Sequence, residues 1–435
     1  MFLLSKAFPH VHTLLVFPLS VILDSFELIM SLVSVPLGNN TNKSFVVAGT
    51  GYAYPDEDEP TRGRILVFET TSVGGRTSTS MDNEDDVGGA ISSISSSRQV
   101  RQVAELATKG GVYSLCGFQK GMLLASVNSM VHLYKLVEID HSGMVELRQD
   151  AASHHGHILS LCVKSSNNQI LVGDLMRSLV LLEYTGKDMD EVARDYNPNW
   201  TTAVEILSEE EGVYLGAENY NNLFVLRRNK ESALEEVQCR LDTQGEYNLG
   251  QMVNKFARGS LVMLPTSTGN NSGGGASSGS SGAGQDQGEG GDTSPTVVKV
   301  SAGSHTLYGT VDGSIGCILG LDRFNFAFFK TLERCLAKVV PTIGGFKHEE
   351  YRAFMGERRL HPSRGFVDGD LIESFLDLSR SQMQDVVKHM NASSSDIMLM
   401  QTDEDCNEAT ESKSKDKVLT VEQVLSVVEE MSRLH

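Results

Sequence analysis

Hydrophobic and polar positions along the chain repeat one pattern five times. Each copy has a short apolar run, a glycine or serine, a polar turn and a second apolar run. Three copies begin at positions 123, 170 and 213, so the pattern recurs roughly every 40–50 residues, which is typical of β-propeller blades. The five copies occupy positions 45–68, 123–134, 170–182, 213–225 and 306–318.

A further apolar run precedes three of the copies, at 112–116, 158–163 and 203–207. Together with this preceding run, each copy of the pattern can form a blade of three strands and an outer fourth strand. The glycines at strand ends allow close backbone packing. Residues 28–35 are one more candidate strand. The sequence therefore predicts a mainly β fold, a propeller over 24–320 with about five to six recognisable blades, which we expect to be incomplete.

Two low-complexity stretches interrupt the repeat. Residues 70–107 are rich in serine and contain an acidic group at Asp82–Asp86, and residues 267–294 are almost entirely glycine and serine. Such compositions cannot bury enough apolar surface to form a core. Both stretches are predicted to be flexible loops.

The first 23 residues form an apolar segment with three open interpretations. The run over 14–23 has the length of a signal-peptide core and is too short to span a bilayer. A wrongly assigned start of the gene or a strand of a truncated blade would also explain residues 1–23.

After position 320 the apolar spacing becomes helical. Phe326, Phe329, Leu332 and Leu336 recur every three to four residues. Ser379 and Thr420 are predicted N-caps, the second within a Thr-Val-Glu-Gln capping box, and Asp370 is predicted to cap a helix over 371–376. We expect a small α-helical C-terminal domain over 321–435 with a flexible linker over 393–417.

Charge and cysteine content favour protein partners. The 37 basic and 56 acidic residues give a formal net charge of −19, which repels a phosphate backbone. None of the six cysteines forms a C-x-x-C pair, so a zinc site or disulfide framework is not indicated.

No spacing predicts catalysis. The sequence lacks a G-x-G-x-x-G after a strand, a P-loop, an H-E-x-x-H and a G-x-S-x-G. His154, His155 and His157 lie just before a strand, and the acidic run Asp56–Glu59 lies between two strands, so both are interpreted as exposed turns. We predict neither an enzyme nor a cofactor or metal site.

Trp200 is the strongest candidate for a binding residue. It ends the segment Ala193–Trp200, whose Asn-Pro-Asn turn could present Trp200 and Arg194 at the rim of a blade. Tryptophan and arginine are enriched at interaction hot spots. Burial of Trp200 between two blades is the open alternative. Arg177, in a polar turn, is predicted to point outward.

Five longer motifs carry a resemblance to a known family. They lie at 173–178, 193–200, 215–219, 259–263 and 365–376. Over 24–435, apart from the insertions, the chain resembles the large subunit of the damage-specific DNA-binding protein, an adaptor of cullin-RING ubiquitin ligases. The wider family includes cleavage-and-polyadenylation and splicing-factor subunits.

The resemblance implies the C-terminal third of that adaptor: most of its third propeller and the helical domain. It implies a non-enzymatic nuclear and cytoplasmic scaffold for DNA repair and ubiquitination that binds WD-repeat substrate receptors. The cullin would bind propellers absent from this chain. DNA would be contacted only indirectly, through a partner subunit. No membrane association is implied.

The resemblance also implies which residues face the receptor. Cys162 and Met252 stand where aromatic residues are expected, which puts their contacts in doubt. The implied partner-binding residues are Glu57, Glu59, Tyr113, Ser114, Leu159, Leu161, Leu175, Arg177, Arg194, Trp200, Val253 and Val311.

Two other functions are weighed against the adaptor. A nucleic-acid-binding scaffold of an RNA-processing complex would need a basic stripe, whereas the chain offers only the pairs Arg227–Arg228 and Arg358–Arg359. An enzyme built on a propeller would need converging polar residues in the central channel, and the sequence predicts none.

Overall fold

A computed structural model describes the chain over 2–7, 23–39, 43–73, 97–139, 144–261, 305–357, 359–393 and 418–434. Contacts divide the chain into two compact units. Unit 1 comprises Met1–Pro9, Ala257–Phe354 and Leu360–His435. Unit 2 comprises His10–Phe256 and Met355–Arg359. The last two strands of the predicted propeller, after position 304, therefore group with the helices.

Unit 2 contains four antiparallel sheets of four strands, here called blades 1 to 4. Strands are numbered in chain order from β1 (Phe2–Ala7), which belongs to unit 1. Blades 1 and 2 consist of β2 (Glu27–Pro36), β3 (Ser44–Tyr52), β4 (Gly63–Val73), β5 (Ser97–Thr108), β6 (Val112–Phe118), β7 (Met122–Val127), β8 (Met130–Ile139) and β9 (Met144–His155). Blades 3 and 4 consist of β10 (Ser160–Ser166), β11 (Gln169–Asp174), β12 (Ser178–Tyr184), β13 (Met189–Arg194), β14 (Thr201–Ser208), β15 (Val213–Glu218), β16 (Asn222–Arg228) and β17 (Leu241–Asn248).

Apolar side chains fill the space between neighbouring blades. Leu124 of blade 2 packs in one buried cluster with Val172 of blade 3. Leu181 of blade 3 shares the next cluster with Tyr214 of blade 4. Each such fully buried aliphatic side chain contributes about 1.5–3 kcal/mol through removal from water.

Gly173 shows why these positions favour glycine. A Cβ atom at Gly173 would lie 2.8 Å from Cγ2 of Thr201 and 2.8 Å from Cγ1 of Val204, both in blade 4. Those distances are too short for a side chain, so blades 3 and 4 approach closely only because residue 173 is glycine. This confirms the role predicted for glycines at strand ends.

Unit 1 contains the fifth blade and most of the helices found in the described residues. Strand β20 (Ile315–Gly320) pairs antiparallel with β19 (His305–Thr310) and with β1, and β1 pairs parallel with β23 (Phe366–Asp368). Three short or shared strands lie at the unit boundaries: β18 (Val253–Arg258), β21 (Phe354–Met355) and β22 (Leu360–His361). The predicted fold class, mainly β with about five to six propeller blades and a small helical part, is confirmed, and the described residues form five blades.

Two helices begin at the residues that the capping signals indicate, Ser379 and Thr420. The side chains of Ser379 and Thr420 each accept from the backbone amide of the third helical residue, and both form complete capping boxes. Phe329, Leu332 and Leu336 are buried in the core that the helices share. The helices are α1 (Glu235–Gln238) in unit 2 and α2 (Arg323–Val339), α3 (His348–Tyr351), α4 (Gly369–Glu373), α5 (Arg380–Ala392) and α6 (Val421–Ser432) in unit 1, with 3₁₀ turns at Gln119–Gly121, Ile343–Gly345 and Ser374–Asp377.

Two local predictions need correction. Asp370 is not an N-cap: Asp368 caps α4 by accepting the amide of Leu371, because the helix begins two residues earlier than expected. The ends of the stretch 70–107 are strands, since β4 continues to Val73 and β5 begins at Ser97. Val100, Val103 and Leu106 recur every third residue in β5, so the strand does not show strict alternation, and its ladder with β4 shifts register between Val67 and Phe68.

Several predicted segments lie outside the described residues: 8–22, 74–96, 267–294 and 394–417. None of the helices within the described ranges has the length and apolar character that crossing a bilayer requires.

Candidate protein-interaction surface

The candidate surface is the link end of unit 2, defined as the end of each blade at which the chain passes to the next blade. In an antiparallel blade this end also carries the turn between the second and third strands. It therefore collects the links over 109–111, 156–159, 195–200 and 249–252, and the turns over 53–62, 128–129, 175–177 and 219–221. Six of the twelve partner-binding residues implied by the resemblance fall in these segments: Glu57, Glu59, Leu159, Leu175, Arg177 and Trp200.

Asn128 fastens the link end of blade 2 to its neighbours. Its side chain accepts from the Gly111 amide at 2.7 Å and donates to the Pro60 carbonyl at 3.0 Å, in the turn of blade 1. Its own carbonyl accepts from Ser160 of blade 3 at 2.8 Å. Asn128 has φ of 47°, a left-handed conformation that asparagine tolerates better than most residues.

We expect Asn128→Ala to lower the free energy of unfolding by about 1–3 kcal/mol, because the part-buried Gly111 amide and Pro60 carbonyl lose their hydrogen bonds. Asn128→Gly is the matched variant: it also lacks the amide but relieves the left-handed backbone, so its loss should be smaller. Urea unfolding of both variants tests this. Equal stability of Asn128→Ala and the wild type would contradict it.

Asp174 builds the turn that carries Arg177. Its buried carboxylate accepts three backbone amides: from Ile158 at 2.6 Å, Met176 at 2.9 Å and Arg177 at 3.0 Å. The guanidinium of Arg177 donates to the Gly156 carbonyl at 2.8 Å, yet the side chain remains exposed. The outward orientation predicted for Arg177 is therefore present in the structure.

The histidine pair His154 and His157 lies next to the Asp174 carboxylate that holds this turn. Nδ1 of His157 lies 3.8 Å from Oδ2 of Asp174, and its Nε2 lies 3.2 Å from Nδ1 of His154. Burial lowers the pKa of His157 to about 4, so its ring is neutral at physiological pH. His157 is buried rather than in an exposed turn, which corrects that interpretation for this residue.

The link before Trp200 is held by polar side chains that are themselves buried. Asn199 donates through Nδ2 to Oγ of Ser178 at 3.1 Å, and Ser178 donates to Oδ2 of Asp195 at 2.6 Å. Trp200 follows directly and is 38% exposed. The structure thus places Trp200 partly in solvent and not within the core between blades.

Two exposed tyrosines lie in the segments next to Trp200 at this end. The Asn219 amide donates to the Trp200 carbonyl at 3.1 Å, which brings the turn of Tyr220 next to Trp200. Tyr196, in the same link as Trp200, is 69% exposed. Sequence reasoning did not select Tyr196 or Tyr220, although their places in Asn-rich turns between strands would have indicated exposure.

Of the two implied glutamates in the acidic turn of blade 1, only one is exposed to solvent. Glu57 is half-buried and accepts from the Thr61 hydroxyl and amide within its own turn, whereas Glu59 is exposed. Burial, with Glu59 nearby, raises the pKa of Tyr113. Glu59 is therefore the carboxylate of this turn best placed to meet a basic partner.

The remaining implied residues differ in accessibility. Arg194 is half-buried and ion-paired with Glu191, with Nε 2.6 Å from Oε1. Val253 is buried and offers its carbonyl to Thr202 at 2.7 Å. Val311 is exposed in unit 1 and so is not part of the link end of unit 2. Four further implied residues are half-buried at the link end: Ser114, Leu159, Leu161 and Leu175.

The link end presents exposed tryptophan, tyrosine and arginine side chains, the residue types that are enriched at interaction hot spots. Within the described ranges, no group of three or more His, Cys, Asp or Glu side chains is arranged to hold a metal ion. Blades and surface together define a β-propeller protein.

Comparison with known proteins identifies the family. The sequence family described as the CPSF A subunit region matches residues 14–377, which is most of the chain, so the chain belongs to that family. DNA damage-binding protein 1a of Arabidopsis thaliana is 41% identical over 372 residues, covering 85% of this chain and 28% of the relative.

DNA damage-binding protein 1 of Solanum lycopersicum is 39% identical over 379 residues, covering 86% of this chain and 29% of the relative. The protein of the same name in Oryza sativa subsp. japonica is 38% identical over 371 residues, covering 85% of this chain and 28% of the relative. The chain thus spans less than a third of the length of these relatives. The resemblance to DNA damage-binding proteins is confirmed.

Proposed function

We propose that this chain is a non-enzymatic adaptor module that binds WD-repeat substrate receptors of a cullin-RING ubiquitin ligase in the nucleus. The observation that carries the proposal is the 41% identity to a DNA damage-binding protein over 85% of the chain. The exposed Trp200 and Arg177 at the link end supply the binding surface that such a role requires.

A scaffold role follows from the physical features of this surface. Its turns are held by buried hydrogen bonds of Asn128, Asp174 and Asn199, so little ordering entropy is lost when a partner binds. The net charge of −19 disfavours direct contact with a nucleic-acid backbone. DNA recognition would then belong to a partner subunit, and the cullin would bind a region of the relatives that lies outside the match to this chain.

The test is affinity purification of the tagged chain from nuclear extract, followed by mass spectrometry. We expect the wild type to recover WD-repeat receptors and ligase components. The double variant Arg177→Ala/Trp200→Ala should lose at least 90% of the receptor signal, because two hot-spot truncations each cost about 2 kcal/mol or more. Lys187→Ala, in the exposed turn between β12 and β13 at the opposite end of blade 3, is the control and should retain the receptors.

The family description, CPSF A subunit region, supports one competing function: a scaffold of an RNA-processing complex. Recovery of polyadenylation or splicing subunits without ligase components would favour that function and overturn the adaptor proposal. Recovery of the same receptors by the double variant would show that the link end is not the binding surface.

A further inference from the structure

One short segment far along the chain is embedded in unit 2. Met355–Arg359 belongs to the same compact unit as the four blades. The amide of Met355 donates to Oδ1 of Asn222 at 3.3 Å, and its carbonyl accepts from Nδ2 of Asn222 at 2.8 Å. This reciprocal pair fixes the segment against the turn that carries Tyr220, where Met355 is 55% exposed.

Arg359, the last residue of this segment, extends to the link that ends in Trp200. Its guanidinium donates to Oδ1 of Asn199 and lies 3.9 Å from Oε1 of Glu246. Asn199 uses its other amide atom on Ser178 and Asp195, so both ends of this side chain are engaged. The chain immediately before Trp200 is therefore held by Arg359.

The guanidinium also supplies positive charge to buried acids. Asp195, Glu218 and Glu246 are each nearly inaccessible to solvent. Burial raises the pKa of Asp195 and of Glu218, and the charge of Arg359 opposes both rises. Without Arg359 these carboxyls would lose a cation in a site of low dielectric constant, where an unpaired charge is costly.

We propose that Arg359 is a positioning residue for the interaction surface: it fixes the Asn199–Trp200 link through Asn199 and the buried carboxylates beneath it. The Trp200 side chain keeps the orientation that binds a partner only while the segment Met355–Arg359 contacts Asn199. The proposal rests on the function proposed above as far as the partner is concerned, but its structural part does not need a partner.

Trp200 is the only tryptophan of the chain, so its fluorescence reports on this link alone. We expect Arg359→Gln to shift the Trp200 emission and to increase acrylamide quenching, because the link loosens and admits water. Capture of the receptor should fall about tenfold, the equivalent of one charge-assisted hydrogen bond. Arg359→Lys keeps the charge and should recover part of both signals. Arg148→Gln, an exposed arginine of β9, is the matched control and should change neither.

If Arg359→Gln does not fold, Glu218→Gln is added to it, so that one buried carboxylate is removed together with the cation. The same shift of Trp200 emission is expected in that double variant. Emission and quenching like those of the wild type would overturn the proposal. Loss of capture with an unchanged Trp200 signal would also overturn it, because Arg359 would then act by direct contact.

The two proposals can fail separately. If Arg359→Gln shifts the Trp200 emission but the wild type captures no receptor, the positioning role stands and the adaptor function fails. If the wild type captures receptors and Arg359→Gln captures them equally well with unchanged emission, the adaptor function stands and the positioning role fails.

Discussion

Replacing Asp368 by asparagine is expected to lower the free energy of unfolding of unit 1 by about 3–5 kcal/mol, the cost of breaking a buried ion pair. Oδ2 of Asp368 accepts from Nε of Arg352 at 2.6 Å and lies 2.9 Å from Nε2 of His348. Arg352 is itself buried, so the substitution leaves a guanidinium without its carboxylate. Urea unfolding followed by far-UV circular dichroism, with hydrogen exchange of the amides of α2 and α4, measures the loss.

The same carboxylate makes the free energy of unfolding of unit 1 depend on pH in the acid range. Burial alone would raise the pKa of Asp368, but the His348 hydrogen bond and the charge of Arg352 hold it at about 2, below its ordinary value of 3.8. A depressed pKa contributes stability above 3.8 that is lost as the pH falls through 2. The contribution is about 2 kcal/mol, and Asp368→Asn should abolish this pH dependence.

Asp377→Asn is the control for both measurements, because Asp377 is exposed and lies one turn after α4. Its stability and acid profile should match those of the wild type. A loss of stability in Asp377→Asn as large as in Asp368→Asn would show that the ion pair with Arg352 is not the cause.

Glu27→Gln is expected to destabilise blade 1 by about 3 kcal/mol or more, since Arg64 then loses its buried partner. Glu27 is buried, and it accepts from the Thr50 hydroxyl at 2.6 Å and from Nε of Arg64 at 2.9 Å. Burial raises the pKa of Glu27, and these bonds outweigh burial and lower it to about 2. Stability from Glu27 is therefore present above pH 4.5 and is lost as the pH falls through 2.

Glu105→Gln is a matched control on the same arginine. Glu105 lies 2.9 Å from Nη1 of Arg64 but is 41% exposed, so its loss should cost at most about 1 kcal/mol. Urea unfolding monitored by Trp200 fluorescence in unit 2 separates the two variants. Equal losses for Glu27→Gln and Glu105→Gln would contradict the importance of burial.

The sequence predicts the blades because their signals are local. Alternating apolar runs and glycines at close approaches, such as Gly173, depend only on neighbouring strands. The capping boxes of α5 and α6 are similarly local, and both are present. Asp368 was missed as the cap of α4 because Asp368 and Asp370 are equivalent by residue type, and only the position of β23 decides between them.

The surface was predictable only in part, for a physical reason. Arg177 and Trp200 lie in turns whose residue types indicate exposure. For Trp200 the residues alone leave burial between blades as an equal alternative, and only the family resemblance favours the surface. The Asn199–Arg359 contact joins residues 160 positions apart, and nothing in the local sequence predicts it. The resemblance implies that Val253 is a partner-binding residue, but its side chain is buried. Its strand lies beside Thr202, whose hydroxyl donates to the Val253 carbonyl.

The most direct test of the central claim is the affinity of the purified full chain for a purified WD-repeat receptor recovered with it, measured by isothermal titration calorimetry. The account predicts that Trp200→Ala weakens binding by about 30-fold or more, the loss of one hot-spot residue. Lys187→Ala at the opposite end should bind like the wild type. Equal dissociation constants for the wild type and Trp200→Ala would contradict the assignment of the link end as the partner surface.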